Sequence, residues 1–373
     1  MRKLVQAVLF LLAPSYLAAQ CTSGIPITGV SSTGAPYIIS MPQPASCYNG
    51  DMVLFAHGYV PVGSPAGTWQ SQLALPDGTS LPALLNSLGF GFAASGFSKD
   101  GLAILQGIQD TKGLTTAIHS QSIAVRKYFV TGASEGGLIA TKSVESDSTY
   151  SGGVAVCGPL GSFQKQINYF GDVRVLFDYF FPGVLPGTAT SIPSALIANW
   201  TTVYEPAVVK AVNSNLLATL QLLNTAQIPI GLNANNAAAA ITDALWYNVF
   251  ATADAQATLD GNPYGNMHTV YSGSLNDVRL NATVARFSED QGPITNVPTY
   301  ETTGILHDPL VTLHTTADPV VPYWQETLYG AKVQSTGSSS ELVQIPALAF
   351  GHCNVTGPEA EAALLVMLLK AGI

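Results

Sequence analysis

The segment 128–140, YFVTGASEGGLIA, constrains the fold more than any other part of the chain. It passes from an apolar, β-prone run through Gly132-Ala-Ser134-Glu135-Gly136 into helix formers. On such a strand-to-helix turn the serine takes a strained backbone conformation, and the two glycines leave room for the neighbouring turn. Ser134 would then stand at a helix N-terminus, where the N–H of Glu135 can stabilise an oxyanion. Taken alone, the pattern fits a Gly- and Ser-rich turn without catalytic function about as well. The presence of an acid and a histidine in the right order therefore decides between the two interpretations.

Candidates for an acid and a base follow the serine in the order that this turn requires. The β-branched run 310–317 ends at Asp318, and a second strand-like run, 342–346, is followed after a short turn by His352. Asp308 is a rival acid, but the proline after it places it at the start of its strand, on the wrong side of the sheet. The order therefore predicts Ser134, Asp318 and His352 as a catalytic triad.

A further strand-like run, 51–56, leads into His57-Gly58-Tyr59. From this position the backbone N–H of Tyr59 would be the second oxyanion donor beside that of Glu135.

With these parts in order, the sequence resembles the α/β-hydrolase superfamily, in particular its secreted esterases and the prolyl-oligopeptidase-like serine hydrolases. Four motifs carry the resemblance: His57-Gly58-Tyr59, Gly132-Ala133-Ser134-Glu135-Gly136-Gly137, Asp318-Pro-Val-Val-Pro and Gly351-His352-Cys353. It covers roughly residues 50–158 and 306–373 and implies an α/β-hydrolase fold. Strand-like and helix-like segments alternate through this part, which independently predicts a mostly parallel sheet with helices on both faces.

Composition bounds the class of protein. The chain has 373 residues, of which 47% are hydrophobic and 10% charged, so it can bury a large core. Its net charge of −9 and the lack of a Lys/Arg run argue against nucleic acid or an anionic membrane as partner. No His, Cys, Asp or Glu group has metal-ligand spacing, and no Gly-rich phosphate loop is present, so we expect no metal and no cofactor.

The N-terminus has the layout of a secretory signal peptide, residues 1–19: basic residues, an apolar run too short to span a bilayer, and small residues ending at Ala19. We therefore expect a secreted or periplasmic protein without a membrane anchor after cleavage. Cys21 would allow a lipoprotein, but Gln20 stands where a small residue would precede the modified cysteine. Segment 22–47, with short β-branched runs, predicts antiparallel strands at a sheet edge.

Nearly 150 residues separate the strand that ends near Cys157 from the next strand, where one crossover helix would suffice. We interpret residues 159–305 as a helical cap or lid, with helices over 208–224 and 237–259, inserted between core segments 20–158 and 306–373. Its aromatic cluster includes Phe180 and Phe181, which we treat as core residues that could also contact an acyl group. Trp69, on a loop after the His-Gly-Tyr motif, is a further candidate for the acyl pocket, although a loop tryptophan more often caps the core.

The other histidines are weaker candidates for the base. His119 precedes the serine, His268 lies in a turn-rich segment, and His307 precedes the acid's strand. His314 lies within that strand, and we expect its side chain to face away from the catalytic end.

These features predict a serine hydrolase that cleaves carboxylic esters through an acyl-enzyme, with hydrophobic or aromatic acyl groups that include feruloyl and polyester substrates. A serine peptidase is the alternative, because the same triad cleaves amides. A non-catalytic binding protein on the same scaffold is the third possibility.

Four cysteines in an exported chain predict disulfides, with three possible connectivities. Cys21 and Cys47 both precede the first core strand, whereas Cys157 and Cys353 both belong to the catalytic side, so we expect the pairs Cys21–Cys47 and Cys157–Cys353. The second pair resembles, with a difference, the tannase and feruloyl-esterase pattern that joins cysteines beside the serine and the histidine. Here Ala133 occupies the place of the first.

Overall fold

The structure, a computed structural model, describes residues 21–373, so the expected signal peptide at 1–19 lies outside the described residues. The strands are β1 (Thr22–Ser23), β2 (Ile27–Val30), β3 (Pro36–Ser40), β4 (Pro42–Gln43), β5 (Asp51–Ala56), β6 (Gly91–Ser95), β7 (Lys127–Ala133), β8 (Tyr150–Val156), β9 (Leu310–Ala317) and β10 (Leu342–Phe350). The helices are α1 (Leu81–Ser87), α2 (Ile104–Ser120), α3 (Glu135–Ser146), α4 (Phe163–Phe180), α5 (Ser194–Ala198), α6 (Glu205–Ser214), α7 (Leu216–Ala226), α8 (Ala237–Leu259), α9 (Asp277–Thr283), α10 (Gln291–Asn296), α11 (Trp324–Ser335) and α12 (Gly357–Lys370).

Eight strands form the main sheet in the order β10-β9-β8-β7-β5-β6-β3-β2. The six strands from β10 to β6 are parallel, and β3 and β2 continue the sheet antiparallel at one edge. Strand β5 is buried along its whole length, which explains its continuous apolar sequence. Of the short N-terminal strands, β2 and β3 lie at the sheet edge, as expected from their composition, whereas β1 and β4 pair in a separate two-stranded sheet.

Helices cover both faces of the sheet. On one face, α2, α3 and α11 contribute apolar residues to a core that includes Leu54 and Val130. On the other face, α1 and α12 pack over Val53, Phe129 and Leu313, which point the opposite way because side chains alternate along a strand. The mostly parallel sheet with helices on both faces, predicted from the sequence, is confirmed.

Helices α4 to α10 lie between β8 and β9 and have a hydrophobic core of their own. The expected helix over 237–259 is α8, whereas the one over 208–224 is two helices, α6 and α7. The break falls at Asn215, whose side chain accepts a hydrogen bond from the N–H of Ala218 and so caps α7.

The helical insertion is anchored to the catalytic edge of the sheet. From α4, the Tyr169 hydroxyl donates to the Pro319 carbonyl at 2.7 Å, and the Gln166 amide donates to the Val320 carbonyl at 2.7 Å. From the β5 side, the Tyr59 hydroxyl donates to the carbonyl of Phe250 in α8 at 3.1 Å. Helices α4 and α8 of the insertion are thereby held at the carboxyl ends of β9 and β5, respectively.

Both disulfides expected from the sequence are present. Cys21 pairs with Cys47, with a Cα–Cα distance of 5.9 Å, and Cys157 pairs with Cys353, with 5.4 Å. Across residues 21–373, no helix is both long enough and apolar enough to cross a membrane.

Candidate active site

Ser134 occupies the sharp turn between β7 and α3, with φ 58° and ψ −122°. This is a strained conformation for a residue with a side chain, and the packing around it explains the glycines. A Cβ at Gly132 would collide with the carbonyl oxygen of Gly136, and one at Gly136 would collide with that of Ala56. The turn predicted from the sequence is therefore held in place by close backbone contacts with β5.

The structure brings the three predicted triad residues together. The Ser134 Oγ and His352 Nε2 are 2.8 Å apart, and His352 Nδ1 and Asp318 Oδ2 are 2.7 Å apart. Asp318 is fully buried, and its Oδ1 accepts hydrogen bonds from the N–H groups of Val320 and Val321 at 2.8 and 2.9 Å. These bonds fix the carboxylate so that its second oxygen faces the imidazole, the arrangement that a serine nucleophile requires.

The expectation that His314 faces away from the catalytic end was wrong. It is buried, and its Nε2 lies 3.7 Å from Asp318 Oδ2 and donates to the Val321 carbonyl at 2.7 Å. Its Nδ1 lies 3.2 Å from Glu326 Oε1. Burial by itself lowers the pKa of His314, but Glu326, Asp318 and the Val321 carbonyl together raise it above its ordinary value. His314 thus lies beside the acid and holds the carbonyl of Val321, whose N–H donates to Asp318.

The predicted oxyanion residues lie on either side of Ser134. Gly58 packs directly against it: a Cβ at position 58 would be 3.1 Å from the Cβ of Ser134. The Gly58 N–H donates to Gln72 Oε1 at 2.6 Å, so Gln72 fixes the loop that carries Tyr59. Glu135 opens α3, where the first N–H groups have no partner within the helix. Sequence reasoning missed Gln72, which has no motif of its own.

Trp69 does not line the active site, so its assignment to substrate binding was wrong. It is buried and stacks on His57, with ring centroids 5.9 Å apart, while Phe97 stacks on the same imidazole at 3.9 Å. Burial lowers the pKa of His57 to about 4, so this imidazole is neutral at ordinary pH. Trp69 and Phe97 therefore pack against His57 at the start of the His-Gly-Tyr loop. This agrees with the alternative interpretation, in which Trp69 caps the core.

Phe180 and Phe181 also fail to reach the site. Phe181 is buried against Phe177, with ring centroids 5.2 Å apart, and Phe180 packs edge-on against Tyr179 at 5.0 Å. Both belong to the core of the helical insertion. Their assignment to substrate binding was wrong, because each ring packs against a ring of α4, Phe177 or Tyr179, and neither lines the cavity at Ser134.

The residue of the insertion that does reach the site is Tyr247, in the middle of α8. Its ring lies edge-on to His352, with centroids 6.2 Å apart, and stacks on Phe170 at 5.1 Å. Burial raises the pKa of Tyr247, and a hydrogen bond with the Ser134 side chain opposes that rise. Nothing in the sequence singles out one tyrosine within a 23-residue helix, so it was not predicted.

A cavity of about 530 Å³ opens at Ser134. Its sheet wall consists of side chains from one face of β5, β7 and β8; α1, α12 and the loop before α1 form the opposite wall. The lining residues are Val53, Phe55, Gly58, Tyr59, Ser71, Gln72, Ala74, Leu75, Pro76, Leu81, Leu84, Leu85, Thr131, Ala133, Ser134, Val154, Val156, Tyr247, His352, Cys353, Val355, Ala360 and Leu364. None of them is Asp, Glu, Lys or Arg.

The cavity is open to solvent on one side, and its walls are mostly apolar. These are the usual features of a cleft that binds a small organic ligand.

Glu135, beside the nucleophile, is buried, and its Oε1 accepts from the N–H of Ala103 at 2.7 Å. Burial raises the pKa of this carboxyl to about 8, with Asp254 adding to the rise and the Ala103 hydrogen bond and Lys99 opposing it. At neutral pH the carboxyl is therefore mostly uncharged. Glu135, the residue after Ser134, therefore carries no full negative charge.

One group in residues 21–373 has the close spacing of a metal site: Cys157, His352 and Cys353. The two sulfurs are joined in a disulfide, so they offer no thiolate to a metal. This group belongs to the triad and its support.

The strand order, the serine turn after the central strand β7, and an acid and a histidine after β9 and β10 together decide the architecture. The chain has an α/β-hydrolase fold. No family model matches the sequence, and no curated protein does.

Several solved structures are similar to this chain at low identity. An esterase of Pyrococcus furiosus, Pf2001, is 11% identical with a TM-score of 0.49, over 92% of this chain and 89% of that one. The esterase LipA of Xanthomonas oryzae is 13% identical with a TM-score of 0.45, over 93% and 87%. An acylaminoacyl peptidase of Pyrococcus horikoshii is 12% identical with a TM-score of 0.45, and the 93% of this chain that aligns spans only 41% of the peptidase.

Proposed function

We propose that the protein is an exported serine hydrolase that cleaves carboxylic esters. The observation that carries the proposal is the hydrogen-bonded series Ser134–His352–Asp318 at the mouth of an uncharged, largely apolar cavity. Such a series activates a serine for attack on a carbonyl carbon. The apolar walls favour a hydrophobic acyl group over a charged one.

In this mechanism Ser134 Oγ attacks the ester carbonyl carbon while His352 Nε2 takes the hydroxyl proton. The tetrahedral oxyanion lies against the N–H groups of Glu135 and Tyr59. His352 then returns the proton to the oxygen of the departing alcohol, which leaves an acyl group on Ser134. A water molecule, deprotonated by His352, attacks this acyl-enzyme, and His352 then returns the proton to Ser134 Oγ as the acid leaves. Asp318 holds the imidazole in orientation throughout.

Two further side chains support this chemistry. The Tyr247 ring lies beside Ser134 and edge-on to His352, where it would help to hold the imidazole in place. The uncharged carboxyl of Glu135 leaves the neighbouring oxyanion unopposed by a like charge. Neither residue replaces a member of the triad.

A serine peptidase is the second candidate, because the triad also cleaves amides. A peptide substrate needs polar partners for its backbone, and a charged side chain needs a partner of opposite sign. The cavity lining contains no Asp, Glu, Lys or Arg, which favours an ester. The two disulfides fit an oxidising compartment and support export.

The test compares purified wild-type protein with Ser134→Ala on p-nitrophenyl esters and on aminoacyl-p-nitroanilides. We expect ester hydrolysis that Ser134→Ala reduces by at least about 1,000-fold, with little amidase activity. A higher kcat/KM on the anilides would instead establish the peptidase. If Ser134→Ala kept the wild-type activity on both substrates, Ser134 would be excluded as the nucleophile.

A further inference from the structure

We propose that the cavity between the sheet and helices α1 and α12 holds the acyl chain of the substrate, extended along β5, β7 and β8. The substrates would then be esters of linear, medium- to long-chain fatty acids. This inference rests on the proposed ester hydrolysis and gives it a substrate class. It also places the acyl site inside the core, on the side of the sheet away from α2 and α3, rather than in the helical insertion.

Strand register gives the depth of the cavity. Ala133 and Val156 pair directly below Ser134, and Thr131 pairs with Val154 two residues further down. Val53, the deepest sheet residue of the lining, is level with Phe129. Five residues at about 3.3 Å each make a depth of roughly 16 Å, enough for an extended chain of about a dozen carbons.

The exposure of the central strand β7 agrees with an open passage. Thr131 and Ala133 are only partly buried, although β7 has strands on both sides and lies in the middle of the sheet. Residues at such a place are normally covered by a helix. Here the surface is accessible because α1 packs on β6 and α12 packs on β8 and β9, which leaves the cavity between the two helices.

The chemistry of the walls fits a hydrocarbon chain. Below the level of Ser134 the walls are mostly aliphatic, with Leu81, Leu84 and Leu85 from α1 and Leu364 from α12. Among the polar groups, Gln72 and Tyr247 lie near the mouth with the triad, and Thr131 is the one polar side chain of the sheet wall below it. A chain without hydrogen-bonding groups suits walls with a single polar side chain, whereas a feruloyl ring would bury its own hydroxyl there.

The order of the chemical steps assigns this space to the acyl part. The alcohol leaves after the first step and needs an open route to solvent. The acyl group stays attached to Ser134 until water releases it, so it can occupy a deep pocket throughout. We therefore expect selectivity for the length of the acid and little for the length of the alcohol.

The first experiment measures kcat/KM for p-nitrophenyl esters from acetate to palmitate, and for acetates of alcohols from ethanol to dodecanol. We expect kcat/KM to rise with acyl length to an optimum near dodecanoate, and to vary little with the alcohol. If kcat/KM rose with the length of the alcohol instead, the assignment of the cavity to the acyl chain would be overturned. If no ester is hydrolysed at all, the proposed function itself fails.

Two variants narrow the cavity from opposite walls. Thr131→Phe fills it three residues below Ser134, and Ala360→Phe fills it from α12. We expect the ratio of kcat/KM on dodecanoate to that on acetate to fall about 100-fold in each, since each methylene excluded from an apolar site costs several-fold in affinity. Ala362→Phe adds the same bulk to the exposed side of α12 and is the matched control. Phe180→Ala, in the insertion core, should also keep the wild-type ratio.

A binding measurement separates this inference from catalysis. Ser134→Ala protein should bind dodecanoic acid in titration calorimetry, and the double variants with Thr131→Phe or Ala360→Phe should bind it at least tenfold more weakly. Equal binding by narrowed and unnarrowed proteins that have the same melting temperature would refute the acyl site, even if ester hydrolysis through Ser134 is established. The acyl site would also be refuted if the ratio of kcat/KM on dodecanoate to that on acetate changed in Phe180→Ala but not in Thr131→Phe and Ala360→Phe.

Discussion

The buried carboxyl of Glu135 predicts a specific pH dependence of stability, which Glu135→Gln isolates. Burial raises its pKa in the folded protein to about 8, against 4.5 in the unfolded chain. The folded state therefore holds this proton more tightly, and the group's contribution is fully present below pH 4.5 and lost as pH rises to about 8. The shift corresponds to about 5 kcal/mol. Glutamine keeps the oxygen that accepts from Ala103 but has no proton to lose.

The assay is urea unfolding of wild type and Glu135→Gln at half-unit intervals from pH 4 to 9. We expect the free energy of unfolding of wild type, relative to the variant, to fall by about 1.4 kcal/mol per pH unit between pH 4.5 and 8 and then to level off. Glu361→Gln, at a partly exposed position of α12, is the control for a surface carboxyl. A difference between wild type and Glu135→Gln that stays constant across the range would refute the reasoning.

Three further predictions concern the triad and its support. Gly58→Ala should lower kcat on p-nitrophenyl butyrate by about 100-fold or more without unfolding, as judged by circular dichroism, because the added Cβ presses on Ser134 beside the oxyanion position. His314→Gln should lower the melting temperature and, through the less firmly held acid, kcat by about tenfold; unchanged values of both would show that this imidazole does not support the acid. Cys157→Ser, or mild reduction of the bond to Cys353, should reduce kcat before circular dichroism detects unfolding; simultaneous loss would indicate a purely structural bond.

The parts of the site that could be predicted from the sequence are those with local signatures. The serine turn needs particular glycines within five residues, and the acid and histidine each follow a recognisable strand in a fixed order. His314 could also have been placed: it lies four positions before Asp318, and residues separated by an even number share a face of a strand.

The cavity and Tyr247 could not be predicted, because both depend on contacts between distant segments. The width of the cavity is set by the gap between α1 on β6 and α12 on β8 and β9, and these helices are separated by about 270 residues of sequence. Tyr247 lies over Ser134 because α8 is held by the hydroxyl of Tyr59. Phe180 and Phe181 were assigned to the substrate because an aromatic cluster in a cap suggests a pocket, but aromatic rings are used equally to fill a helical core.

The bond between Cys157 and Cys353 has a consequence for the integrity of the chain. It joins residues 196 positions apart, and the closed loop contains all of the helices α4 to α10. A protease that cuts any surface loop of the insertion therefore leaves two pieces that remain covalently joined through the end of β8 and the residue after the histidine. An enzyme working among extracellular proteases would keep its nucleophile, acid and base in one molecule after such a cut. On a gel, the nicked protein would migrate as a single species until a reductant is added.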